Sequence, residues 1–237
     1  MRALTKGLAA LAVALIFLLT LLLNWPLAAL GTFFEREARH PTGLAGTLTD
    51  GHIERLAFEA DGWPLALGPI DWEVDWPAGL SLTLGRAPGA WHADGQWRGT
   101  TSHWRISGGD LSALDLANLP LALEARWEGT LDVTFRGQRC LSSQGGLTAT
   151  RIALLSPTAV ELGRGRLSLD CTGPTPRLLL DIEDGRALSI SVAMTLSGAG
   201  GEAHVQGVID EQHPLSQWRQ RLQPDAPGER LDARFHW

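Results

Sequence analysis

Asp71, Glu73 and Asp75 alternate with Ile70, Trp72, Val74 and Trp76. On an extended strand three such carboxylates share one face about 7 Å apart, a spacing that could attract calcium. No further ligand and no glycine-bearing calcium loop accompanies them. The triplet therefore reads as the solvated face of a strand whose other face is apolar. The seven histidines, at 40, 52, 92, 103, 204, 213 and 236, have no metal-ligand spacing. No Gly-x-Ser-x-Gly elbow, Gly-x-Gly-x-x-Gly loop or His-Glu-x-x-His pair is present. Gly163-x-Gly165 comes nearest to a phosphate-cradling loop, but it leads into Ser168 and opens a strand.

Lys6 is the only lysine, beside nineteen arginines, and tyrosine is absent. A Schiff-base lysine or a phosphate-loop lysine in the body of the chain is thereby excluded. The net charge of −6 argues against a nucleic-acid binder. These absences do not exclude enzymes in general, but they nominate no catalytic, cofactor-binding or metal residue.

Two cysteines, Cys140 and Cys171, flank a turn-rich region. They could bridge two strands as a structural disulfide, since no Cys-x-x-Cys occurs. Ten tryptophans could form a carbohydrate surface. Trp72, Trp76 and Trp127 instead share parity with aliphatic neighbours, which favours core packing.

The elements that must position these residues follow from period-2 alternation. Leu80, Leu82 and Leu84 share a face, as do Leu121, Leu123, Ala125 and Trp127, continued by Leu131, Val133 and Phe135. Leu167, Leu169 and Cys171 repeat the pattern, and so do Leu188, Ile190, Val192, Met194 and Leu196. With 27 glycines and 13 prolines between such runs, the chain reads as all-β and predominantly antiparallel, a curved sheet or a sandwich. Glu128-Gly129-Thr130 is either a turn or the middle of one long strand. At Asp184-Gly185 side-chain parity requires an odd-length hairpin loop with Gly185 at positive φ, pairing Ile182 with Leu188 and Leu180 with Ile190. Leu111–Leu119 could hold a turn or short helix. His213 to Leu222, with Pro214 at a first-turn position, predicts a short helix in the C-terminal region.

Residues 7–23 are uncharged and apolar, behind Arg2 and Lys6. Leu8, Leu15, Phe17, Leu23 and the interfacial Trp25 fit a single transmembrane helix with its N terminus in the cytoplasm. A cleaved signal peptide is the alternative, but the apolar core is long and Ala29-Leu30-Gly31 is a weak cleavage site. The expected organisation is a cytoplasmic flank and anchor over 1–30 and a periplasmic β domain over 31–237. That domain would hold 18 arginines against 26 acids.

Three stretches carry a family resemblance. Leu44-Ala45-Gly46-Thr47-Leu48-Thr49-Asp50-Gly51 follows the apolar segment. Leu67-Gly68-Pro69-Ile70-Asp71-Trp72-Glu73-Val74 comes next. Gly228-Glu229-Arg230-Leu231 closes the chain after a glycine-punctuated β region. In this order they resemble the type II secretion system protein N family (general secretion pathway protein N). The Trp-Arg-Gly that often follows the first Gly-Thr-Leu in that family is replaced by Thr49-Asp50-Gly51, and Trp97-Arg98-Gly99 occurs later. The resemblance implies an accessory inner-membrane protein, non-catalytic and without cofactor. Its partners would be the inner-membrane platform and the periplasmic part of the outer-membrane channel, in export of folded proteins across the outer membrane. A periplasmic lipid-handling protein with an apolar β groove is the alternative. A glycan-binding or hydrolytic module ranks behind both, since no carboxylate pair is nominated.

Overall fold

In the computed structural model, residues 39–60, 63–114, 122–156, 159–197, 200–216 and 230–236 are described. They form β strands joined by turns. The first five are β1 (Arg39–Thr42), β2 (Ala45–Gly46), β3 (Asp50–Ile53), β4 (Arg55–Ala60) and β5 (Trp63–Leu67). Next come β6 (Ile70–Glu73), β7 (Gly79–Leu84), β8 (Trp91–Arg98) and β9 (Thr101–Ser107). The long strands are β10 (Ala122–Arg136), β11 (Arg139–Ser156) and β12 (Val160–Asp170). Then follow β13 (Arg177–Glu183), β14 (Leu188–Ser197), β15 (Gly200–Ile209) and β16 (Arg230–His236). β1, β4 and β5 make a small sheet. The other thirteen make one antiparallel sheet, a meander from β6 to β16 with β3 and then β2 added beyond β6.

The alternation in sequence becomes two chemically distinct faces. Leu147, Leu167, Leu180, Val192, Val205 and Ala233 lie opposite one another in a continuous row across β11 to β16. On the other face the neighbouring row reads Thr148, Arg166, Asp181, Ser191, Gln206 and Asp232. Ala125, Trp127, Leu147, Ala149, Ile152 and Leu154 form the buried heart, joined by Leu188, Ile209 and Leu231.

Local chemistry explains the register. Gly129 sits inside β10, not at a turn, with φ +107, and a side chain there would meet the Gly146 carbonyl at 2.6 Å. Gly165 faces Trp127 two strands away; a Cβ would stand 2.5 Å from Ile152 Cδ1 and 2.8 Å from the Trp127 ring. At the β13–β14 hairpin the odd-length loop and the positive φ of Gly185 are as expected. The pairing is shifted by two residues, with Ile182 opposite Ile190 and Leu180 opposite Val192. The cause is Asp184, whose Oδ1 accepts the N–H groups of Arg186, Ala187 and Leu188 at 2.7, 2.8 and 2.9 Å. That cluster holds a wider loop than the turn residues alone require.

A 3-10 turn, Leu111–Ala113, lies between β9 and β10. The strand pair Asp110–Arg126, joined by a guanidinium–carboxylate contact of 2.8 Å, seats it beside β10. Of the expected C-terminal helix, His213 to Leu215 form a turn and Ser216 is helical; 217–222 lie outside the described residues. The expected transmembrane helix, with Leu8, Leu15, Phe17, Leu23 and Trp25, also lies outside them. Among the described residues no helix is long and apolar enough to cross a membrane.

Candidate functional site

No cluster of three potential metal ligands exists among the described residues. Asp71 is instead bound to His52, its Oδ1 2.7 Å from His52 Nδ1, with Glu54 Oε2 3.4 Å from the other ring nitrogen. The Asp71 hydrogen bond raises the His52 pKa above the ordinary 6.5; burial opposes the rise and Glu54 adds to it. Arg86 completes the group, 2.9 Å from Glu54. All four side chains are solvent-accessible, and the arrangement ties β3 to β6 across the polar face.

Cys140 and Cys171 are at disulfide distance, with Cα atoms 5.3 Å apart. They pack with Leu131, Val133, Phe135 and Leu169. The bridge pins the start of β11 to the chain just past β12, where the two strands no longer pair.

The tryptophans divide. Trp127 is buried and Trp72 half-buried, as their parity requires. Trp76 is 82% exposed. The alternation that placed it in the core stops where β6 ends at Glu73, and Val74 to Ala78 leave the strand as a loop closed by Asp75–Gly79 backbone bonds.

Three surfaces remain as candidate sites for a partner. The first is the corner built by the two N-terminal motifs. Gly46 pairs with Gly51, and Gly51 with Trp72. Trp72 Nε1 donates to the Leu48 carbonyl at 3.0 Å, so the Gly-Thr-Leu turn is held by the tryptophan of the following motif. The second is β16, the last strand of the sheet, which among the described residues pairs only with β15. It alternates Arg230, Asp232 and Arg234 with Leu231, Ala233 and Phe235. His204 Nε2, 2.7 Å from Asp232, holds that carboxyl below the usual range, with Gln206 assisting. The third is the apolar face. Its row Leu167, Leu180, Val192 and Val205 is half-buried, and Phe235 at the margin is 42% exposed.

Sequence reasoning did not find a further polar groove across β7 to β11. Its residues come from five strands, and only the ladder register brings them together. No protein-family model, curated protein or solved structure matches the chain.

Proposed function

We propose that this chain is an accessory inner-membrane component of the type II protein secretion machinery. In this reading it is a single-pass protein with its N terminus in the cytoplasm and its bulk in the periplasm. It acts as a non-catalytic scaffold in export of folded proteins across the outer membrane. The observation that supports it is the corner: two motifs that resemble the protein N family, separate in sequence, meet through Trp72 and Leu48. The third, at Arg230-Leu231, begins the strand at the far edge of the sheet. Such an edge presents main-chain donors and acceptors on which another component can add a strand.

Photo-crosslinkers placed at Arg230 and Arg234 should capture inner-membrane platform proteins or the periplasmic part of the outer-membrane channel. Deletion that leaves secretion of folded exoproteins at wild-type level would reject the reading.

A second reading rests on the apolar face. Leu167, Leu180, Val192 and Val205 form a half-buried aliphatic row, which would suit acyl chains. Native mass spectrometry of the purified protein separates the two, since only lipid handling requires co-purifying phospholipid.

A further inference from the structure

A groove of different chemistry crosses β7 to β11. Ser81, Asp94, Arg105, Asp132 and Gln144 follow one another across β7 to β11 in a single row. Gln96, His103, Thr134 and Ser142 form the row beside it. Trp76 and Asp75, from the β6–β7 loop, stand at the rim of the groove, whose volume is about 830 Å³. That is within the range of about 300–1,000 Å³ usual for small-ligand sites.

Several groups are already oriented. Ser81 Oγ donates to Asp94 at 2.9 Å and lies 3.3 Å from Asp75. Arg105 Nε donates to Asp132 at 2.9 Å, and Thr134 Oγ1 is 3.0 Å from His103 Nδ1. The amides of Gln96 and Gln144 are exposed and have no hydrogen-bond partner among the described residues.

We propose that this groove binds a neutral, hydroxyl-rich oligosaccharide, with one sugar face laid on Trp76. The chemistry excludes the other classes. The lining holds no Leu, Ile, Met or Phe, and its apolar part is mostly indole (Trp76, Trp97 and Trp104, with Val133 the one branched aliphatic residue), so an acyl chain finds little aliphatic floor. Three carboxylates (Asp75, Asp94, Asp132) face two guanidiniums (Arg98, Arg105), so neither a polyanion nor a polycation is favoured. β7 to β10 are interior strands paired on both sides, so a peptide cannot add to their ladders. What remains is a floor of fixed donors and acceptors of both kinds, which matches hydroxyl groups that donate and accept at once. Neighbouring strands repeat at about 4.8 Å, comparable with the length of one sugar unit, so an extended chain crossing them meets a fresh polar side chain at each unit. An exposed indole beside such a floor supplies the flat apolar surface that the C–H face of a sugar ring needs.

The test is calorimetry and tryptophan fluorescence on the full-length protein in detergent, titrated with cellohexaose and with N-acetylglucosamine hexamer. Saturable binding of at least one is expected. Trp76→Ala should weaken it about tenfold or more, with the unfolding temperature unchanged because the side chain is exposed. Gln96→Ala combined with Gln144→Ala should also weaken it while leaving the fold intact. No binding of either sugar up to its solubility limit, or equal affinity in the wild type and both variants, overturns the proposal.

Discussion

Trp72 Nε1 and the Leu48 carbonyl, 3.0 Å apart and 24 residues apart in sequence, join strand β6 to the Gly-Thr-Leu turn. The bond satisfies a carbonyl in a tight turn where Thr47 Oγ1 also receives the Asp50 N–H at 3.2 Å. Trp72→Phe keeps most of the ring's packing and removes the donor. It should cost about 1 kcal/mol, read as a lower urea midpoint with an unchanged slope. An unchanged midpoint would mean that the corner is held by its backbone ladder alone.

Gly165 tests the close approach of β12 to the core. Gly165→Ala would force Ile152 Cδ1 and the Trp127 ring apart from the 2.5 and 2.8 Å a Cβ would meet there. Overpacking of this kind costs about 1–3 kcal/mol. Thermal unfolding by near-ultraviolet circular dichroism, which sees Trp127, should show both a lower midpoint and an altered native spectrum.

The cysteine pair closes a 31-residue separation, which chain entropy values at about 3–4 kcal/mol. Replacing both with serine, or adding reductant, should lower stability by an amount of that order. If denaturation curves with and without reductant coincide, the bridge contributes nothing.

Two acid–base groups pull stability in opposite directions with pH. His52 is raised by Asp71, so its contribution is present below about pH 6.5. It fades as pH rises through the folded value. His52→Gln should therefore lose more stability at pH 6 than at pH 8.5. For Asp184, burial pushes the carboxyl up, but the backbone N–H groups of Arg186, Leu188 and Ala187 outweigh it and leave it lowered. Its contribution is present above the ordinary carboxylate value and is lost as pH falls through the folded one. Asp184→Ala should cost about 1–2 kcal/mol at pH 7 and little at pH 2. Urea titrations of both variants across pH check the two signs.

Most strands were legible because one wet and one dry face write a period of two into the chain. Leu188, Ile190 and Val192 announce β14 on their own. Parity also gave the odd loop at Asp184, but not its width, since three N–H groups gathered on one carboxylate leave no pattern in the letters. Trp76 was misplaced because alternation cannot say where a strand stops, and β6 stops three residues before it. The groove was invisible for a different reason. Asp94, Arg105 and Asp132 become neighbours only when three strands take a particular register.

The sheet from β6 to β16 joins each strand to the next one along the chain. Every ladder there can form as soon as its second strand is available, without waiting for a distant segment. A chain that leaves the ribosome N-terminal end first can therefore be laid down strand by strand as it emerges. The growing edge would always be the newest strand, up to β16 among the described residues.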